Sequence, residues 1–266
     1  MAGNVAALRF QIETALAGRV PAPFAPRPVQ VETAPFRIAE VDALTGGLPR
    51  GGLTEICGPP CSGRATLLLS ALASGTAHAE ACALVDGRDS FDPHSAEAAG
   101  VKLERLLWVR CGNIDQCLRA TDLLLQGGGF GLIAMDLSVL PPKTVRYVPL
   151  NVWFRFRRAV ERTSTILLLL DQESNAGTCA SLVLRLASES AHWLEPKVRQ
   201  AVFPANCCAC LLDGAEIQAQ VVRSRLQIAA GARKERSFAR RQDAGPAANF
   251  RTKTEWSYGK EIAKTK

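Results

Sequence analysis

Residues 53–73, LTEICGPPCSGRATLLLSALA, place an apolar strand, a turn of glycine and proline, and an apolar helix start in immediate succession. A glycine turn between a buried strand and a helix N-terminus aims backbone N–H groups and the positive end of the helix dipole at one point, where a phosphate can sit. The same texture continues outward. ACALV at 81–85, LLWV at 106–109, GLIAM at 131–135 and TILLLL at 165–170 are continuous apolar runs, the pattern of parallel strands covered on both faces. Helical spacing falls between them at about 64–79, 115–126 and 152–162. Strand alternating with helix predicts an α/β fold with a mostly parallel central sheet flanked by helices. Beyond Asp171, SLVLRLA at 181–187 and EIQAQVVRSRLQI at 216–228 read as strands that extend the sheet, antiparallel.

The ends of the chain differ from this body. Val5, Leu8, Ile12 and Leu16 predict a short N-terminal amphipathic helix, and Pro21, Pro23, Pro26, Pro28 and Pro35 an extended linker. Residues 232–266 carry ten Lys/Arg against four Asp/Glu, nearly all of the chain's net charge of +7. They have few aliphatic residues and no sustained period, which predicts disorder when alone. The organisation expected is therefore 1–36 as helix and linker, 37–230 as the core domain and 231–266 as a basic tail. No run approaches the roughly 18 apolar residues of a membrane span, and no signal-peptide order opens the chain. Nine scattered cysteines fit reduced thiols in a cytosol, so a cytoplasmic protein without membrane contact is expected.

Gly58 and Gly63 have the five-residue offset of the phosphate-loop pattern G-x-x-x-x-G-K-[ST], but its last two positions are Arg64 and Ala65. A guanidinium is longer and differently hydrated than the ammonium it replaces. A methyl cannot ligate Mg²⁺ as a hydroxyl does, and Thr66 offers its hydroxyl about 100° further around the helix. An empty or weak anion site and ATP binding without turnover both remain open; no other cofactor and no metal is expected.

The run ALTGGLPRGGLTEICGPPCSGRATL, continuing through CALVDGRDSFDPHSAEAAGVKLERLLWV into GLIAMDLSVL, resembles the RecA family over about residues 40–190. A RecA-like core is what that resemblance implies. Within the family it is similar to the ImuA branch, RecA-related accessory proteins of bacterial mutagenic (translesion) DNA synthesis. The resemblance implies that Asp136 stands at the Walker B aspartate and Gln172 at the glutamine that senses the γ-phosphate. The glutamate that activates the hydrolytic water falls at Arg88, in Asp86-Gly87-Arg88, and a guanidinium is no general base. The nucleotide-site candidates are thus Gly58, Gly63, Arg64, Thr66, Asp136 and Gln172, with no catalytic residue. Charge adds an expectation: without nucleotide, Arg64 pairs with Asp136 or Asp86, because unpaired charges in a cleft are costly.

The segment 174–178, SNAGT, is too short for the second of the mobile DNA-gripping loops of RecA recombinases. On the helix near 152–162, Trp153, Phe156 and Val160 form one face, and Arg155, Arg158 and Arg162 another that is a solvated face or a phosphate contact. In the tail, Arg240, Arg241, Phe250, Arg251, Trp256 and Tyr258 are candidates for partner or single-stranded DNA contact. For the ImuA branch the partner implied is the inactive Y-family-like protein of the mutagenic polymerase, or a RecA filament. Cys207, Cys208 and Cys210 lack the spacing of a zinc site, and Cys57 and Cys61 read as small buried residues. The function expected is a non-hydrolytic adaptor of damage-induced translesion synthesis. The rivals are an ATP-dependent single-stranded-DNA-binding recombinase and a damage-induced inhibitor of cell division.

Overall fold

The computed structural model describes residues 32–194, 211–225 and 245–253. The N-terminal segment 4–17, Cys207, Cys208, Cys210, Arg240, Arg241, Trp256 and Tyr258 lie outside the described residues. The order is β1 Thr33–Ala34, α1 Ala39–Thr45, β2 Leu48–Pro49, β3 Leu53–Cys57, α2 Arg64–Ala77, β4 Cys82–Asp86, α3 Pro93–Ala98, β5 Leu106–Arg110, α4 Ile114–Gly127, β6 Leu132–Asp136, α5 Pro142–Arg146, α6 Leu150–Val160, β7 Ile166–Asp171, β8 Leu182–Leu194, β9 Leu211–Ser224 and β10 Ala247–Lys253. Eight strands form one sheet in the order β10-β9-β8-β3-β7-β6-β4-β5. The six from β8 to β5 are parallel, and β9 and β10 add antiparallel.

Continuous apolarity in the middle strands has its cause in helices on both faces. Leu132 and Ala134 of β6 join Leu67, Ala71 and Leu72 of α2 in one buried cluster. Their alternates Ile133 and Met135 join Cys117 and Leu125 of α4 and Trp153, Phe156 and Val160 of α6 in the other. Opposite Trp153 on α6, Arg155 and Arg158 are exposed, and Arg155 Nε donates to Asp122 Oδ1 at 3.1 Å. Helix α1 leads through Gly46-Gly47 into β2, which pairs antiparallel with β1. Gly47 has φ +95, and a Cβ there would stand 2.7 Å from the Ala34 carbonyl oxygen, so the position requires glycine. Among the described residues no helix is long and apolar enough to cross a membrane.

Two expectations are corrected. First, β8 is antiparallel to β9 as expected but parallel to β3. After Asp171 the chain returns to the start of β3, where Ser181 N donates to Leu53 O at 2.7 Å, so the strand that follows runs in β3's direction. Second, the C-terminal region is not a tail throughout. Residues 247–253 pair with β9 from Ala247↔Gln220 to Lys253↔Gly214. Phe250, a candidate contact residue, is 3% exposed in the cluster of Phe36, Ile217, Ala219 and Val221. Arg251 points outward with Nη2 3.8 Å from Asp213 Oδ2. Every second residue of AANFRTK faces in, and one phenylalanine supplies most of the burial, which is why composition alone hid the strand.

Candidate functional site

Parallel pairing brings the C-terminal ends of β3, β4, β6 and β7 to one rim of the sheet, the usual place for a ligand in α/β folds. The register sets Cys57 beside Asp171 and Asp86 beside Asp136. Residues 58–63 turn over that rim into α2. Gly58 N donates to Asp171 O at 3.3 Å and Ser62 N to Pro59 O at 3.3 Å. Gly63 caps α2 at φ +86, ψ 11, and a Cβ there would collide with Ile217 Cδ1 of β9. Glycine at 63 is therefore required both by backbone conformation and by the ribbon packed against the loop. No side chain caps this helix. Cys57 is buried, its thiol pushed up to about 11 by burial and then by Glu55, whereas Cys61 is exposed at φ +60, against the expectation for that residue.

Arg64 is the first residue of α2, half-buried, with Nη1 shut from water and without a hydrogen-bond partner. Burial lowers its pKa from the ordinary value, against the pull of Asp136 and Asp171. It forms no salt bridge with Asp136 or Asp86 among the described residues, which overturns the expected ion pair. The two carboxylates are engaged elsewhere. Asp136 Oδ1 accepts from Ser138 N at 2.9 Å, a cap on the turn after β6, and burial raises its pKa. Asp86 accepts from Arg88 N at 3.2 Å, Ser90 Oγ at 3.3 Å, Phe91 N at 2.9 Å and Trp108 Nε1 at 3.3 Å. Burial pushes Asp86 up, but these donors outweigh it and hold the carboxyl below its usual range. Arg88 itself is exposed. Gln172 Nε2 donates to Ser138 O at 2.8 Å, tying the ends of β6 and β7 together. Thr66 lies partly exposed on the first turn of α2.

The sequence reading missed Glu55, in the middle of β3 and fully buried. It accepts from Ser174 Oγ at 2.6 Å, Asn175 N at 2.6 Å and Ala176 N at 2.9 Å, fastening the short loop after β7. An acid inside an otherwise apolar strand was the available signal, since a carboxyl is buried only where donors await it. Asp171, beside it and also buried, accepts from Asn175 Nδ2 at 2.7 Å and Gln172 N at 2.6 Å. Its pKa is nonetheless raised to about 6, by burial first and then by Glu55.

That shift sets a pH dependence. The folded chain binds a proton at Asp171 that the unfolded chain, with an ordinary carboxyl near 3.9, has released between about pH 4 and 6. Stability therefore falls as pH rises through this window, and Asp136, also raised, adds the same sign. Asp171→Asn removes the titrating group but keeps only one acceptor oxygen for two donors, Asn175 Nδ2 and Gln172 N. It is expected to reduce the fall in stability between about pH 4 and 6, measured by urea unfolding across that range.

The fold, a mostly parallel sheet flanked by helices, is similar to that of RecA-like proteins. Residues 28–145 match the RecA N-terminal domain family. Over 99 residues the chain is 39% identical to Protein RecA of Cutibacterium acnes, a match covering 37% of this chain and 28% of that protein. The chain thus spans well under half the length of the curated relative it matches. The crystal structure of the RadB recombinase superposes with a TM-score of 0.56 at 17% identity, over 82% of this chain and 96% of that one, which establishes the likeness of fold.

Proposed function

We propose that this chain is a non-hydrolytic RecA-like accessory protein that helps assemble a translesion polymerase after DNA damage. It is read as an adaptor rather than an enzyme. Its C-terminal region holds an inactive Y-family-like polymerase partner, and its core contacts a RecA filament. The observation that carries this reading is the condition of the hydrolytic positions. Ala65 offers no hydroxyl on the first turn of α2, exposed Arg88 follows β4 where a base would be needed, and the Gln172 amide is committed to a carbonyl. Such a rim can still attract an anion, but no side chain at position 88 accepts a proton from water. The translesion role follows the resemblance of the whole pattern to the ImuA branch. With 247–253 in the sheet, the docking and DNA-contact roles fall to the basic residues between β9 and β10 and to 254–266, which hold Trp256 and Tyr258.

Co-expression with the inactive Y-family-like protein of a mutagenic polymerase tests the reading. The full chain is expected to co-purify with it, and a chain ended at Lys253 to lose at least about tenfold of the capture, the loss of about 1.4 kcal/mol of binding. Absence of capture by the full chain would overturn the adaptor role. Undiminished capture by the shortened chain would move the docking element away from residues 254–266.

A further inference from the structure

Helix α4 begins on a reciprocal cap. Asn113 Oδ1 accepts from Gln116 N at 3.0 Å, and the Gln116 side chain reaches back so that its Oε1 accepts from Gly112 N at 2.7 Å. A cap of this kind fixes the angle at which the chain enters the helix, and an apolar pair on either side of it packs together as a staple. Position 112 is glycine, so the residue before it takes the outer place of that pair. Both staple residues are cysteines: Cys111, two residues before the cap, and Cys117, four after it.

The two thiols are free and buried among the side chains of α4, α6 and the sheet. Cys117 Sγ donates to Cys111 Sγ, and Cys111 Sγ in turn donates to Val109 O at 4.0 Å. Other described cysteines turn elsewhere, Cys82 to Glu80 O and Cys57 to Arg185. A staple needs only apolar side chains, and two thiols held sulfur to sulfur add chemistry to it. Facing side chains with neighbouring sulfurs are the starting geometry of a disulfide.

We propose that Cys111 and Cys117 are an oxidisable pair that closes an intramolecular disulfide by exchange with a small disulfide of the glutathione class. The Cys111 thiolate attacks one sulfur of oxidised glutathione, which leaves a mixed disulfide on Cys111 and releases one glutathione. Cys117 Sγ then attacks Cys111 Sγ and releases the second. Each departing glutathione thiolate takes up the proton that the attacking thiol has lost. Two protein thiols are oxidised and one disulfide is reduced to two thiols, so no further reactant is needed.

Cys111 leads because it is 7% exposed and Cys117 not at all. Burial raises both thiols, Cys117 to about 12, while the bond from Cys117 draws Cys111 back toward its ordinary value. Cys111 N also donates to Asp86 O at 2.8 Å, so the disulfide fastens the end of the edge strand β5, the end of β4 and helix α4 at one point. Neither cysteine enters the adaptor role, and the pair is tested independently of it.

Cleavage after Arg110 and Arg119 isolates CGNIDQCLR, residues 111–119, which holds these two cysteines and no other. The folded full chain is equilibrated in glutathione buffers of graded redox ratio, quenched with an alkylating reagent and digested, and the peptide is weighed by mass spectrometry. It is expected unalkylated and lighter by two hydrogens. The half-oxidised point is expected at least about tenfold further toward reducing conditions than for the same synthetic peptide free in solution, ~30 mV for a two-electron couple. Gln116→Ala, at an exposed position, removes one arm of the cap and is expected to bring that point at least about threefold back toward the free peptide. Exposed Cys61, which takes up glutathione as a mixed disulfide, shows that the oxidant is active. A peptide that stays doubly alkylated while Cys61 is modified, or a mixed disulfide on Cys111 that never closes, would overturn the proposal. So would a half-oxidised point equal to that of the free peptide, or one unmoved by Gln116→Ala.

Discussion

A chain ended at Pro246 is expected to lose about 4 kcal/mol or more of stability, whereas one ended at Lys253 unfolds at the same denaturant concentration as the full chain. The difference is β10. Phe250 fills the cluster between α1 and the inner face of β9, and truncating a buried phenylalanine alone costs about 3–5 kcal/mol. Outside the core, Asn249 Nδ2 donates to Glu189 Oε2 at 2.9 Å and Ala215 N to Thr252 Oγ1 at 3.0 Å. Removing the strand also leaves the long β9 as an open edge, so the shorter chain is expected to associate as well as to unfold early. Urea unfolding of the three chains measures both effects. Coincident midpoints for 1–246 and the full chain would show that β10 contributes nothing. The result also governs any docking experiment: a cut placed before Ala247 damages the fold and removes the tail together, and only a cut after Lys253 separates them.

Glu55→Ala is expected to cost about 3–5 kcal/mol, and Glu55→Gln about 1 kcal/mol or less. Alanine strands three donors, from Ser174, Asn175 and Ala176, beneath the loop after β7, each an unmade buried hydrogen bond of about 1–3 kcal/mol before relaxation. Glutamine keeps one acceptor oxygen for the backbone N–H groups and turns its amide toward the Ser174 hydroxyl, which can accept. The two variants thus separate the loss of hydrogen bonds from the loss of charge. Limited proteolysis supplies the local readout, with faster cleavage within 172–178 in Glu55→Ala and an unchanged pattern in Glu55→Gln. The glutamine variant should also flatten the pH dependence tied to Asp171, because Glu55 is one of the groups that raise that carboxyl. Equal stability of the alanine and glutamine variants would contradict the clamp.

The middle of the sheet was legible in the sequence because β3, β4, β6 and β7 are covered on both sides, so that LIAM or ILLLL reads as apolar without a gap, whereas the equally apolar LLWV forms the half-exposed edge strand β5. The same holds for α6, whose Trp153, Phe156 and Val160 recur at helical steps. What escaped depends on single side chains. Helix α1 is fixed by Asp42, which accepts from Phe36 N at 2.7 Å and Arg37 N at 3.0 Å, and α3 by Asp92 at its N-cap. Seven- and six-residue helices show too little period to be read. The rim was half legible. The loop pattern points to Gly58 and Gly63 and the resemblance to Asp136 and Gln172. A cap on the next turn is a reading open to a strand-end aspartate, and Asp136 makes that bond, whereas the sequence does not show that Gln172 ties two strands. The expected pairing of Arg64 with Asp136 or Asp86 failed because the sequence shows which charges share a rim and not how many local donors compete for each. Asp86 alone accepts from four.

Steady-state ATP turnover by the purified full chain, with Mg²⁺ and with single-stranded DNA present or absent, bears most directly on the loss of hydrolytic chemistry. The rate is expected to match buffer alone under every condition and to be indifferent to Arg64→Ala and Asp136→Asn. Turnover above that background, stimulated by DNA and removed by either substitution, would contradict the account and restore a working recombinase-type ATPase.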